Sequence, residues 1–198
     1  MSPPTRPLLA LVVLALGLLL SGCGAVVVGG AATGAAIAYD RRDAETVLED
    51  QKIELQALDI TDKNPQLEEQ TQISATSYNR LVLLTGQAGS VDASRRFAAL
   101  VARIPGVKRV INEVRIGPNV SVAQQSRDSY LTAKVKTALF GVKDVGFEAS
   151  RIKVVSHGGA VYLMGLVTQR EAELAVEEAR TVGGVANVVR VREYIEVG

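Results

Sequence analysis

The sequence predicts an α+β fold made of two tandem copies of one αββαβ module, each with two helices on one face of a small three-stranded mixed sheet. Two observations lead to this prediction. The first is an internal repeat: residues 73–86 align with 152–165 at an offset of 79, and residues 104–110 align with 182–188 at an offset of 78. The second is that short β-branched runs alternate with amphipathic helical patterns in both copies.

A leader region precedes the two modules. Residues 8–20 form an uninterrupted apolar run of 13 residues, short of the ~20 that a membrane-spanning helix needs. The run follows a Pro-rich start that carries Arg6, and it ends in small residues before Cys23, which is the layout of a secretory signal peptide. Residues 1–22 are therefore predicted to be a signal peptide. Cys23 is the sole cysteine and cannot form an internal disulfide.

The segment Leu20-Ser21-Gly22-Cys23 resembles the bacterial lipobox. The resemblance implies that Cys23 receives a diacylglycerol and an N-acyl chain, and no other cofactor is expected. The alternative is an ordinary signal peptide followed by a stray cysteine. Two or three acyl chains make membrane attachment effectively permanent. In lipoproteins of this kind Asp after the cysteine favours inner-membrane retention, so Gly24 implies attachment to the periplasmic leaflet of the outer membrane.

Residues 23–43 are interpreted as the lipidated cysteine and a Gly/Ala-rich tether, because residues 24–39 carry no charge. Gly30 and Gly34 have the spacing of a helix-packing motif, so a glycine-mediated packing segment is the alternative. Over the whole chain, 22 basic and 21 acidic side chains give a net charge of +1. This balance argues against a nucleic-acid binder, which is normally clearly basic.

The periodicity predicts the same elements in both modules. In the first module, residues 44–117, we expect a helix over 44–58, strands over 70–77 and 81–86, a helix over 90–103 and a strand over 108–116. In the second module, residues 128–198, we expect a helix that is capped by Asp128 or Ser129 and ends near Phe140, followed by a hairpin over 151–166. The second helix should begin at the capping box of Thr168 and Glu171 and end at Gly183-Gly184. A strand over 185–196 should follow. Residues 118–127 are expected to form a linker. Modules this small have limited cores and are expected to support each other through an interface.

The repeated residues resemble a known family, the BON domain. The resemblance is carried by the segment from Val161 to Ala172, by the Gly-Val-x-x-Val pattern after the second helix of each copy, and by Asp40-Arg41-Arg42. Two such modules behind a lipobox resemble the dual-BON outer-membrane lipoproteins of the DolP family. The resemblance implies a non-enzymatic envelope protein that helps to keep the outer membrane intact. It also implies that the second BON domain binds anionic phospholipid, which assists localisation to division sites. Its expected structural glycines are Gly86, Gly106, Gly165 and Gly184.

The predicted helix after Asp128 offers candidate lipid contacts. At about 100° per residue, its core-facing stripe is distinct from the side chains of Tyr130, Lys134, Thr137 and Phe140. Aromatic rings suit the acyl boundary, while lysines suit anionic phosphates. The alternative is that Phe140 folds over the edge of the module and Tyr130 packs on the other domain. The candidate lipid-contact residues are Tyr130, Leu131, Lys134, Thr137 and Phe140.

The residue inventory does not favour an enzyme. His157 is the sole histidine and Cys23 the sole cysteine, so neither a His/Cys metal site nor a Cys-His pair is expected. His157 is interpreted as a solvated turn residue, with pH sensing or contact with a partner as alternatives. No catalytic residue, bound metal or small-molecule substrate is expected.

The competing hypothesis is a protein-interaction adaptor whose first module docks an envelope assembly, division or cell-wall factor. Its docking surface would be basic, although the acidic residues interspersed among these side chains favour a solvated exterior. The residues are Arg41, Arg42, Arg95, Arg96, Arg103, Lys108 and Arg109.

Overall fold

The computed structural model describes residues 40–194, with side chains described as far as Val191. The predicted signal peptide, Cys23 and the tether up to Tyr39 lie outside the described residues, as do residues 195–198. Between residues 40 and 194 no helix is both long enough and apolar enough to cross a membrane.

The first module contains three helices and four strands. Helix α1 (Ala44–Asp62) is followed by the short α2 (Pro65–Gln70), the hairpin strands β1 (Thr71–Tyr78) and β2 (Leu81–Ala88), helix α3 (Val91–Val101), and strands β3 (Arg109–Asn112) and β4 (Arg115–Ile116). The predicted αββαβ order is therefore present, with α2 inserted and the last strand divided.

The second module has the same order with an undivided last strand. It contains α4 (Val122–Gly141), one 3-10 turn (Ala149–Arg151), β5 (Ile152–His157), β6 (Ala160–Val167), α5 (Gln169–Thr181) and β7 (Asn187–Tyr194). In both modules the hairpin strands are antiparallel and the last strand runs parallel to the second: β1 pairs with β2, β2 with β3 and β4, β5 with β6, and β6 with β7. The predicted mixed sheets are confirmed.

The break between β3 and β4 has a local cause. The side-chain oxygen of Asn112 accepts from the backbone N–H of Val114 at 3.2 Å, and its side-chain nitrogen donates to Ser94 Oγ at 3.0 Å. Asn competes with strand pairing through such bonds to its own backbone, so the strand is interrupted after this residue.

Helix starts follow capping side chains, with one correction to the sequence prediction. Ser90 Oγ accepts from Ala93 N, and Thr168 and Glu171 form the predicted capping box. The first helix of the second module, however, begins at Val122 because Ser121 Oγ accepts from Gln124 N and no Gly or Pro follows until Gly141. The prediction of a cap at Asp128 or Ser129 is therefore wrong, and part of the predicted linker is helical.

Each module has its own core between its helices and its sheet. In the first, Val82 and Leu84 of β2 pack with α1 and α3; in the second, Val161 and Leu163 of β6 pack with α4 and α5. The alternate side chains of these strands point to the opposite face, as the period of a strand requires.

The two sheets pack against each other through these opposite faces. One buried apolar cluster contains residues from both modules: Tyr78, Leu81, Leu83, Ala160, Tyr162, Met164 and Val191. Residues 40–194 therefore form four layers, in the order of α1 with α3, first sheet, second sheet, and α4 with α5. The expected interface between the modules is present, and it leaves the helices on the two outer layers.

Polar contacts also join the modules. The Tyr78 hydroxyl donates to the Arg151 carbonyl oxygen at 3.1 Å, and Lys153 Nζ lies 2.7 Å from Glu54 Oε1. Burial raises the pKa of Tyr78 to about 12, so its hydroxyl remains a donor at neutral pH. The Arg42 guanidinium lies 3.8 Å from the centre of the Tyr78 ring.

The segment that enters α1 is held by both modules. Arg41 forms two hydrogen bonds with the Glu171 carboxylate, at 2.6 and 3.1 Å, and donates to the Leu166 carbonyl oxygen. Arg42 pairs with Asp40 and with Asp50 of α1. Arg41 and Arg42 are therefore committed to contacts within the chain and are removed from the basic surface expected of an adaptor.

The four predicted glycines lie where a Cβ would meet backbone atoms or where φ is positive. Gly86 has a φ of 128°, and a Cβ there would overlap the carbonyl oxygen of Gln72 on β1. At the equivalent Gly165 a Cβ would lie 2.9 Å from the Arg151 carbonyl oxygen. Gly106 and Gly184 lie in the loops between helix and last strand, with φ of 89° and 105°.

Gly86→Ala should destabilise the protein by at least ~2 kcal/mol, because the new Cβ meets backbone that cannot move aside without breaking the hairpin. Chemical denaturation of a lipid-free form that starts at Gly24 measures this change. Gly141→Ala is the matched control, since a Cβ there meets nothing within 4 Å; it should change stability by no more than ~1 kcal/mol. Equal effects of the two substitutions would contradict the steric argument.

Acid should weaken the contact at Glu171. Burial alone would raise the pKa of Glu171, but hydrogen bonds from Arg41, the Thr168 backbone and Arg151 outweigh it and lower the pKa to about 2. A lowered carboxyl pKa contributes stability that is complete above the unfolded value of 4.5 and is lost as the pH falls towards 2.

At neutral pH, the free energy of unfolding of the unaltered protein should therefore exceed that of the Glu171→Gln variant by up to ~3 kcal/mol. This difference should shrink steadily below pH ~4.5. Urea denaturation at several pH values measures both proteins, and a difference independent of pH would exclude the charged carboxylate as the cause.

Candidate membrane-contact surface

Helix α4 is fixed on its sheet by one apolar stripe and two polar contacts. Leu131, Val135 and Leu139 are buried in the core of the second module. Near the start of the stripe, Asp128 accepts from the backbone N–H groups of Gly158 at 3.0 Å and of Gly159 at 3.5 Å. The carboxylate thereby joins the helix to the turn of the β5–β6 hairpin.

Lys134 supplies the second polar contact of α4. Its ammonium donates to the Gly183 carbonyl oxygen at 2.7 Å, beyond the end of α5, and lies 5.8 Å from the centre of the Tyr130 ring. The rotation of α4 about its axis is thus set by contacts on both flanks of its exposed face.

The outward face of α4 exposes aromatic rings. Tyr130 is 69% exposed and Phe140 is 71% exposed, and Val122 and Thr137 are exposed on the same helix. The alternative in which Phe140 folds over the module edge and Tyr130 packs on the first module is therefore wrong. Thr137 Oγ1 donates to the Ala133 carbonyl oxygen within the helix.

Leu131 differs from the other four candidate residues. It is only 6% exposed and belongs to the core of the second module, with its Cδ1 close to Gly184. The interpretation of Leu131 as a surface contact is corrected by its burial: it supports the helix from beneath and is not available to a lipid.

The exposed charged side chains of α4 are all cations. Arg127 and Lys136 are exposed and Lys134 is half-buried, while Asp128 is the helix's sole acidic residue and its carboxylate is buried against the hairpin turn. The exposed surface of α4 consequently carries cations without any exposed carboxylate of the same helix. The exposed charge of α4 is therefore locally cationic, even though residues 128–198 carry nine basic and nine acidic groups.

A shallow groove runs beside Tyr130. It has a volume of about 500 Å³ and lies between α4 and the end of α5, with Ala133, Lys134 and Thr137 on one side and Val182 and Gly183 on the other. The groove places an apolar floor directly beside the Lys134 ammonium.

His157 is buried, so its interpretation as a solvated turn residue is wrong. It is 8% exposed, with Nε2 3.4 Å from the Gln87 side-chain nitrogen and Nδ1 3.9 Å from Asp128 Oδ2. Burial lowers the pKa of His157; the carboxylate of Asp128 opposes this shift and the guanidinium of Arg115 adds to it. The side chain sits where the two modules meet, because Gln87 and Arg115 belong to the first.

The structural pair that sequence reasoning missed is Asp50 and Asp128, each of which binds the turn of its own hairpin. Asp50 lies 78 residues before Asp128 and accepts from the backbone N–H groups of Asn79 and Arg80 in the turn of the first hairpin, both at 2.7 Å. An aspartate at the same place in both repeats, inside an otherwise apolar stripe, is the signal that could have identified the pair.

The predicted adaptor residues that remain available lie on α3, in the following loop and at the start of β3. Arg95, Arg96, Arg103, Lys108 and Arg109 are exposed. Asp92 is the one acidic residue in the segment 91–112, and it lies 3.9 Å from Arg96. In residues 40–194, no group of three or more His, Cys, Asp or Glu side chains is close enough to hold a metal ion.

Comparisons with known proteins agree with this architecture. The BON domain model matches residues 49–118 and 127–194. The outer membrane lipoprotein DolP of Haemophilus influenzae is 37% identical over 177 residues, covering 89% of this chain and 91% of the relative. The 21 kDa hemolysin of Actinobacillus pleuropneumoniae is 36% identical over 157 residues, covering 79% and 80%.

A solved structure of CdsD, a structural protein of the type III secretion system of Chlamydia trachomatis, gives a TM-score of 0.30 at 12% identity, covering 64% of this chain and 86% of that one. The two domain matches fall on the two structural modules, and the similarity to DolP extends over nearly the whole chain. The chain is a dual-BON protein of the DolP family, an envelope protein of the outer membrane.

Proposed function

We propose that this protein is a non-enzymatic lipoprotein, anchored through acyl chains on Cys23, that binds anionic phospholipid with α4 of its second BON domain and supports envelope integrity at division sites. The observation that carries the proposal is the outward face of α4, where exposed aromatic rings stand among cations. The lipoprotein name of the H. influenzae relative supports the anchored state.

The chemistry of the α4 face matches that of a lipid headgroup region. Tyr and Phe side chains partition to the boundary between headgroups and acyl chains. Arg127, Lys134 and Lys136 each contribute about 1 kcal/mol near an anionic surface, and this contribution declines as salt is added. Such a surface is weak by itself, so the acyl anchor supplies attachment and α4 supplies lipid preference and orientation.

Tyr130→Glu and Phe140→Glu should each weaken binding of the lipid-free protein to vesicles of phosphatidylglycerol and phosphatidylcholine by about tenfold, since each puts a carboxylate where a ring enters the interface. Co-sedimentation measures binding, and circular dichroism checks the fold. Val91→Glu is the matched control, because Val91 is exposed at the start of α3 in the first module; binding by this variant should be unchanged.

A second candidate function is the adaptor, favoured by the five exposed cations of α3, the following loop and the start of β3. The vesicle experiment separates the two functions, because it contains no second protein. Purified protein that fails to bind anionic vesicles, or binds equally after both α4 substitutions, would favour the adaptor over lipid recognition by α4.

Cys23→Ala should release the protein from membranes, because the α4 face alone gives only weak and reversible binding. Fractionation of cells that express the full chain measures the distribution between membrane and soluble fractions. Any Cys23→Ala protein that remains with the membranes should be released by a high-salt wash, whereas the unaltered protein should not be. A Cys23→Ala protein that stays with membranes as firmly as the unaltered chain would mean that attachment does not depend on this cysteine.

A further inference from the structure

Helix α1 has apolar residues on two faces. Its inner face packs into the first module through Ile53 and Ala57. Its outer face exposes three leucines, here called the leucine stripe: Leu48 is 55% exposed, Leu55 is 64% exposed and Leu58 is 60% exposed. Single exposed leucines are common on proteins, but three on one face of a helix indicate a surface that is covered by something else.

The spacing of the leucine stripe is that of a coiled-coil seam. Leu48 and Leu55 are seven residues apart, and Leu58 follows three residues later. Leu48 and Leu55 therefore correspond to position a of two successive heptads, and Leu58 corresponds to position d of the second. At about 100° per residue the three side chains fall within an arc of about 80°. The shape that fits such a stripe is another helix with an apolar seam.

Charged side chains beside the leucine stripe define what the second helix should carry. Glu45, Lys52 and Asp59 recur at intervals of seven along one flank, are all exposed, and alternate in sign. Asp59 also pairs with Lys63, whose Nζ lies 3.0 Å from its carboxylate, but both side chains are exposed and such a pair is weak. A partner helix with a cation, an anion and a cation at matching positions would place opposite charges opposite each other.

The same flank argues against two other occupants. A second copy aligned antiparallel would bring Lys52 near Lys52 of its partner and Glu45 near Asp59, so like charges would meet. An anionic membrane would face three exposed carboxylates, Glu45, Asp59 and Asp62, against two exposed cations, Lys52 and Lys63. In contrast, the outer face of α4 presents no carboxylate of its own.

The layer order supports a partner on the side opposite the lipid. Because α1 and α4 pack on sheet faces that point away from each other, α1 faces away from the membrane when α4 contacts it; this step rests on the proposed lipid contact. We propose that the leucine stripe of α1 is a docking site for an amphipathic helix of another envelope protein. The chain then contacts lipid with one outer layer and a protein helix with the other.

A synthetic helix tests the docking site directly. The probe is a labelled peptide of about three heptads with Leu at a and d and Lys, Glu and Lys at the flanking positions. Fluorescence anisotropy with the lipid-free protein should show saturable binding, and Leu55→Glu should weaken it by about tenfold. Val91→Glu is the matched control and should bind as the unaltered protein does. Equal binding by the Leu55→Glu variant, or no binding, would overturn the proposal.

The charge pattern is tested by exchange. A peptide with Glu, Lys and Glu on its flank should bind about tenfold more weakly than the first peptide. Lys52→Glu should weaken binding of the first peptide, and a peptide with Lys at all three positions should restore it. Two peptides that bind equally would show that the leucine stripe does not select its partner by this flank.

The other occupants give distinct results. If analytical ultracentrifugation shows dimers of the unaltered protein and monomers of Leu55→Glu, the stripe binds a second copy. If Leu55→Glu abolishes binding to vesicles, the stripe binds lipid. Either result would overturn the proposal. Tyr130→Glu should leave peptide binding unchanged. The peptide experiment therefore tests the docking site independently of lipid binding by α4. In the full chain, a photo-crosslinking residue at position 55, compared with position 91, should capture a protein that is not a second copy.

Discussion

The carboxylate of Asp50 is the constraint on which the first module and its connection to the second depend. It is buried, and it accepts hydrogen bonds from Ser77 Oγ at 2.6 Å, from the backbone N–H groups of Asn79 and Arg80, and from Arg42. A buried carboxylate is tolerable only with such a complement of donors. Through Arg42, which stacks on Tyr78, the same group reaches the hydroxyl that binds the second module.

The duplicated aspartate serves two different turns. In the second hairpin, Gly158 and Gly159 adopt positive φ without steric cost. In the first, Asn79 and Arg80 adopt φ of 52° and 65°, which is uncommon for residues with a Cβ and persists where surrounding contacts impose it. The bonds from Asp50 to both turn N–H groups are those contacts. The first module therefore uses a polar interaction where the second uses backbone freedom.

Sequence reasoning identified what local pattern and repetition encode. The duplication, the capping box of Thr168 and Glu171 and the outward direction of Tyr130 and Phe140 follow from spacing within a single element. What it missed depends on distant contacts. His157 is buried because Gln87 of the other module approaches it, and Asp128 binds a turn 30 residues away where its residue type suggested a helix cap. The start of α4 was also missed, because the polar residues from 122 to 127 have the composition of a linker. They contain no residue that stops a helix, and Ser121 caps them.

The apolar face shared by the two sheets has a consequence for how the chain arose. Exposing this face of either sheet to water would be strongly unfavourable because it is apolar. Each module therefore needs the other to bury it. Two separate copies of one ancestral module could have buried the same face against each other as a homodimer. Joining them through a short connection makes that association independent of protein concentration and frees each copy to diverge. The difference between α1, whose leucine stripe is flanked by charges of both signs, and α4, whose exposed charges are cationic, is the divergence that such a fusion permits.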